Sequence, residues 1–276
     1  MGHESENSLV GAWIRDVRRA WRRLTGGDAT PDPARSTLIG ISGGADSMAL
    51  AIALGTLDAP RVVLATVQHD LRPAELVHDD RAAVLRLGRL LGARVVTEHV
   101  SISGGNAEHE ARDARYRALS RLARREGCGW LATAHHGGDQ LETVLLAMGR
   151  GASPAALLGI HESRPAIEDG VTVIRPMLRT EPELPAQVCR AFGVRPRVDA
   201  TNADPARARG SLRCEAIPAL VQSLRSLPGG GLMSNVHASI DRLRDRIERD
   251  SERGQDPSRD RSSSSSESRP DASSTE

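Results

Sequence analysis

The chain has 276 residues, with 26 Gly, 15 Pro and 3 Cys, and all 37 of its basic side chains are arginine. Without lysine it cannot carry a Walker-type phosphate loop, Schiff-base chemistry or pyridoxal chemistry. Cys128, Cys189 and Cys214 are too dispersed for a CxxC pair or a four-cysteine zinc site, and their odd number argues against a secreted disulfide scaffold. No apolar run approaches the roughly 18 to 20 residues of a membrane span, so the expectation is a soluble, cytoplasmic protein. The net charge is +1, but residues 250–276 hold 4 Arg against 7 acids, which leaves 33 Arg against 29 acids in the remainder. That mild positive excess is compatible with nucleic acid. With only 3 Trp, 1 Tyr and 1 Phe, the composition speaks against base-stacking platforms, and any nucleic acid would be gripped by arginine.

Trp13, Val17, Trp21 and Leu24 recur at helical spacing between Arg15, Arg18, Arg19, Arg22 and Arg23, which predicts an amphipathic helix over 8–24. Its arginines fit either a membrane or RNA contact, or a solvated face over a Trp-anchored packing stripe. A Gly/Pro/Asp-rich linker follows. Apolar runs at 37–42, 61–69, 94–100, 129–135 and 171–178 then alternate with helical patterns at 46–58, 74–92, 106–126 and 139–149. Such alternation predicts βαβ units, hence an α/β fold with a parallel sheet covered on both faces. A last helix is expected near 236–249. The Ser-rich segment 250–276 has nothing to bury and reads as a disordered tail.

In a sheet of this kind ligands bind where strands end. After the first strand comes Ser42-Gly43-Gly44-Ala45-Asp46-Ser47, running directly into a helix. Two glycines let the backbone turn its N–H groups inward, and the helix N-terminus adds partial positive charge, so the loop is an anion cradle suited to phosphate. The plainer reading is a Gly-rich turn capped by Asp46.

This SGGADS stretch resembles the PP-loop of the N-type ATP pyrophosphatases, and the other strand ends resemble one branch of them, the tRNA(Ile)-lysidine synthetases. The matching stretches, in order, are Gln68 to Pro73, Asn106 to Tyr116, and Ala132 to Thr143. They continue with Arg150 to Ile160, Arg175 to Leu178, and Asp199 to Leu220, so that seven motifs cover about 37–220. The chain departs from the family pattern at Asp70, Gly138, Gly210 and Cys214. Gly138 stands where the family has the first of two acids, so its charge falls to Asp139 and Glu142, and Gly138→Asp is expected to tighten lysine binding.

The resemblance implies an adenine nucleotide alpha hydrolase-like (Rossmann-like) PP-loop domain over 37–220. It is preceded by the N-terminal helix and linker (1–36) and followed by a helical extension (221–249) and the tail (250–276). The implied reaction joins free L-lysine to C2 of the wobble cytidine of a CAU-anticodon tRNA(Ile) through an adenylated intermediate, using ATP and Mg²⁺. Ser42, Gly43, Gly44, Ala45, Asp46 and Ser47, with His69, Arg72 and His135, would contact nucleotide. Asp46 would hold Mg²⁺ through ATP. Asp46, Asp139, Glu142 and Arg112 would be catalytic, with Asp139 or Glu142 recognising lysine. Arg115, Arg150, Asn202, Arg209 and Arg213 would touch RNA or close the site.

Arg112 and Arg115, at i and i+3, can reach one anion or pair with Glu108. His135 and His136 with Asp139 could instead be metal ligands, or a solvent-facing strand end. A homodimer is a candidate assembly, and no membrane partner is expected. Three other functions compete. A tRNA thiolase would need paired cysteines, and an amidating synthetase would need a glutaminase. A degenerate nucleotide- or RNA-binding protein would need neither.

Overall fold

The computed structural model describes residues 2–57, 61–69, 74–101, 107–197, 208–224 and 232–254. The strands are β1 (Thr37–Gly40), β2 (Val62–His69), β3 (Arg94–Val100), β4 (Trp130–Ala132), β5 (Ser163–Pro165) and β6 (Thr172–Ile174), in the sheet order β3-β2-β1-β4-β6-β5. All neighbours are parallel except β5, which pairs antiparallel with β6 at the edge. That edge strand is absent from the sequence pattern. It is three exposed residues ending in Pro165, with no apolar alternation to show it.

The helices are α1 (Gly2–Leu24), α2 (Ala45–Gly55), α3 (Ala74–Leu91), α4 (Ala107–Arg125), α5 (Gly137–Gly149), α6 (Leu184–Ala191), α7 (Ala208–Ser211), α8 (Ile217–Ser223) and α9 (Leu232–Gly254). A π-helical turn, Leu212–Ala216, joins α7 to α8. α9 runs through Gly254, past the boundary expected at 249, and the rest of the Ser-rich segment lies outside the described residues.

Successive strand residues point to opposite faces. Ile39, Leu64 and Ile174 therefore meet α1, α2, α3 and α6 on one side of the sheet. Leu38, Val63, Leu131 and Val173 meet Tyr116, Leu119 and Leu122 of α4 on the other. α2 is buried nearly all round from Ser47 to Leu54, which makes it the fixed platform for the loop that precedes it.

α1 is a packing element. Trp13, Val17 and Trp21 are buried in the same cluster as α2. The Trp21 indole N–H donates to Thr37 Oγ1 at 3.0 Å. Most of the arginines between them are engaged by the protein itself. Arg18 donates to the Ala53 carbonyl at 2.7 Å, and Arg22 and Arg23 pair with Asp32 and Glu162. Arg35, fully buried, donates to the carbonyls of Arg22, Thr25, Gly27 and Thr30, so the linker wraps around one guanidinium.

The chain runs outward from β1 to β2 and β3, then returns to place β4 on the other side of β1. The crevice between the ends of β1 and β4 is thus the point where strand order reverses, the place a doubly wound sheet offers a ligand. Among the described residues no helix is long and apolar enough to cross a membrane.

Candidate active site

The loop after β1 and the turn after β4 meet in that crevice. Gly43 has φ +88°, a left-handed conformation that demands glycine, and its carbonyl accepts from the Arg197 N–H at 2.9 Å. The Ser47 hydroxyl closes the loop from inside: it accepts from the Ser42 N–H at 3.2 Å and donates to the Gly44 carbonyl at 3.0 Å. α2 has Gly44 at its N-cap and no side-chain cap, so the reading of Asp46 as a capping residue fails. The Asp46 carboxylate lies in the first turn and is free to face the crevice. Desolvation there, with the Asp139 carboxylate nearby, holds its carboxyl above the usual range, against the pull of His136 and Arg213.

His136 is buried at the N-cap of α5. Its Nδ1 accepts from the Gly138 N–H at 3.0 Å, while the Asp139 carboxylate accepts from the His136 N–H at 2.9 Å, which makes a reciprocal cap. A neutral imidazole that accepts at Nδ1 carries its proton on Nε2. That atom lies 3.8 Å from Asp46 Oδ2. The expectation of a solvent-facing strand end is corrected here: the pair of histidines splits, one capping a helix toward Asp46 and the other lining the crevice. Among the described residues no three His, Cys, Asp or Glu side chains are grouped to hold a metal.

His135 contacts Thr133 Oγ1 through Nδ1 at 3.0 Å. Burial, with Arg175, Arg112 and Arg115 nearby, pushes its pKa down to about 3 from an ordinary 6.5. The unfolded chain would therefore bind this proton at a higher pH than the folded one. His135's contribution to stability is complete above pH 6.5 and fades as pH falls toward 3. The His135 ring resonances in an NMR titration should show no protonation step between about pH 5 and 8. A step near the ordinary value would contradict this environment.

Behind the crevice wall Arg213, on the π-helical turn, donates to both oxygens of Glu142, at 2.6 and 3.0 Å, and to Asp139 Oδ1 at 3.1 Å. Glu142 is almost fully buried, with 4% of its side chain exposed, while Arg213 keeps 41%. Burial raises the Asp139 carboxyl, but the His136 ring and backbone N–H together with Arg213 outweigh it and hold it below the usual range. The two acids expected to recognise lysine are thus joined already by one guanidinium.

Ser42, Asp46, Ser47, Arg115, His135 and Asp139 line one open cleft of ≈ 280 Å³. Gly43, Gly44 and Ala45 build its loop, Glu142 reaches it through Arg213, and Arg112 stands beside it over the Tyr116 ring at 5.5 Å. Arg150 is not brought there. It caps the far end of α5, roughly 20 Å along the helix from His136. Arg209 is exposed on α7, one turn before Arg213. The His69 side chain, Arg72, Asn202 and the Glu108 side chain lie outside the described residues.

A Cβ on Gly138 would lie 2.8 Å from His136 Cε1, so Gly138→Asp would push the capping ring aside before adding any charge. The substitution would therefore disturb the α5 cap as well as add a charge. Sequence reasoning missed His136 as the neighbour of Asp46, since His-x-x-Asp lacks the Ser or Thr that usually marks a capping box.

A doubly wound sheet with a glycine-turned anion loop at its switch point defines a nucleotide-binding α/β protein. The PP-loop domain family matches residues 17–220. A tRNA(Ile)-lysidine synthase of Salinispora tropica is 43% identical over 222 residues, covering 78% of this chain and 63% of that protein. One of Novosphingobium aromaticivorans is 35% identical over 237 residues, covering 85% of this chain and 68% of that protein. The chain belongs to the tRNA(Ile)-lysidine synthase family of PP-loop proteins.

It spans slightly under two thirds of the length of the Salinispora relatives, 63% and 66%. A U34-tRNA thiolase of Methanococcus maripaludis, solved with its [4Fe-4S] cluster, shares the fold at a TM-score of 0.64 with 16% identity, covering 85% of this chain and 79% of that one. The three cysteines here are free and separate: Cys128 and Cys189 are buried in different clusters and Cys214 is exposed.

Proposed function

We propose that the protein adenylates the wobble cytidine of a CAU-anticodon tRNA(Ile) with ATP and then joins L-lysine to it, giving lysidine. The observation that carries this reading is the single cleft, shared by the PP-loop with Asp46 and by the acid that opens α5. Phosphate activation and amine recognition would occur side by side there. The dispersed cysteines speak for this over a thiolase, since sulfur relay needs a thiol pair or a cluster.

In the first step the cytidine O2 attacks the α-phosphorus of ATP. The bond to the β-phosphate breaks and pyrophosphate leaves. The loop N–H groups and the α2 N-terminus face the developing phosphate charge. In the second step the lysine ε-amine attacks C2, the C2–O2 bond breaks, and AMP leaves carrying the former O2. The amine must arrive without its extra proton, since its ordinary pKa is ~10.4.

Asp46 fits Mg²⁺ held jointly with phosphate oxygens. Its carboxylate lines the cleft and, among the described residues, pairs with no arginine, while His136 Nε2 lies 3.8 Å away. When bound, the metal would supply charge neutralisation at the leaving pyrophosphate. Asp139 and Glu142 are the proposed ammonium site, with Arg213 holding the pair together between turnovers. Arg115, at the cleft rim, would meet RNA.

The order of steps gives the test. With ATP and tRNA but no lysine, pyrophosphate should appear in a burst of about one per active site and then stop. Release that needs lysine from the first turnover, or that ignores tRNA, would overturn this sequence of events.

A further inference from the structure

We propose that Arg164, with Arg112 and Arg175 around the Tyr116 ring, forms a second anion subsite that takes a backbone phosphate of the RNA substrate. It is separate from the glycine loop, and it rests on the functional reading above. Tyr116 of α4 is 5% exposed and lines the cleft. The guanidinium of Arg112 lies over its ring at 5.5 Å and that of Arg164, from the edge strand β5, at 5.0 Å. Arg175, following β6, is 3% exposed. Its field and those of Arg112 and Arg115 act on the Tyr116 hydroxyl.

The charges in this cluster do not balance. Arg22, Arg23, Arg121, Arg124 and Arg179 each have a carboxylate partner. Among the described residues Arg112 and Arg164 have none, and both lie over the Tyr116 ring. Asp139, the carboxylate that acts on His135, is already taken by the His136 N–H and Arg213. Two atoms buried in the cluster, Tyr116 Oη and Arg175 Nε, lack a partner at full hydrogen-bond geometry, although the hydroxyl and the Arg175 guanidinium interact. Arg175 is buried with no carboxylate beside it among the described residues, and Arg112 and Arg164 bring two more positive charges to the same ring, so the cluster favours an anion that arrives from solvent.

The anion is a phosphate, because guanidinium forks match its oxygens in pairs and an aromatic face holds the guanidinium plane in place. Its source is RNA rather than the nucleotide. The glycine loop follows β1, and β5 lies three strands away, roughly 14 Å across the sheet. Arg164 is exposed on that edge strand, where a polymer backbone can pass.

Arg164→Gln tests this without touching the core. The probes are an RNA hairpin with a CAU loop, a second hairpin with a scrambled loop, and ATP, each titrated against the full chain over a range of salt. The affinity for both hairpins should fall about tenfold. The slope of log K against log salt should drop by about one, while ATP affinity stays unchanged. Arg164→Lys should recover only part of the loss. Unchanged RNA affinity and slope would overturn the subsite, and a loss confined to ATP would assign it to the nucleotide. A wild type that binds both hairpins equally, with Arg164→Gln weakening both, would sustain the subsite while counting against the tRNA reading.

Discussion

Asp46→Asn should lower pyrophosphate release by about 10²-fold or more while ATP binding in the absence of metal changes little. The substitution keeps shape, replaces one acceptor oxygen by an NH2 donor and removes one negative charge. It should therefore spare the helix, whose N-cap is Gly44. What it removes is the cleft carboxylate placed to share a divalent cation with phosphate oxygens. Raising Mg²⁺ should recover part of the rate if the loss is in metal affinity. Turnover equal to wild type would reduce Asp46 to an electrostatic neighbour of His136.

Arg213→Met is expected to act on stability as much as on activity. It strands Glu142, nearly fully buried, without the two hydrogen bonds that satisfy its carboxylate. Breaking a buried pair from one side costs about 3 to 5 kcal/mol, and the partial exposure of Arg213 puts this case near ~3. For a chain of this size that is a fall in Tm of roughly 6 to 12 °C. Glu142→Gln added to Arg213→Met should restore most of it, because a neutral amide no longer leaves a charge buried. Thermal unfolding of the two single variants and the double variant at neutral pH measures the coupling. Additive losses would show that the bidentate contact contributes nothing.

The parts of this protein that sequence reveals are those set by local periodicity. Leu38 and Ile39 alternate across the sheet, and the apolar content of 46–58 is that of a helix buried on all sides, so strand and helix positions follow directly. The glycine loop is legible because Gly43 needs a positive φ that few residues accept. α6 escaped notice because it is only eight residues long, with Pro185 in its first turn and Gly193 just beyond its end. The contact of His136 with Asp46 requires β4 to return beside β1, which no local pattern specifies. The hold of Arg213 on Glu142 spans 71 residues and depends on a π-helical turn with no sequence signature. Site residues on strand ends were foreseeable in kind. Their partners were not, because partners are chosen by topology.

The most direct measurement is incorporation of labelled lysine into a tRNA(Ile) transcript with a CAU anticodon, in the presence of ATP and Mg²⁺. A transcript in which uridine replaces the wobble cytidine serves as comparison. The account predicts one lysine per cytidine-bearing transcript, with one AMP and one pyrophosphate formed for each, and none with uridine. ATP and tRNA bound with no lysine incorporated would contradict it.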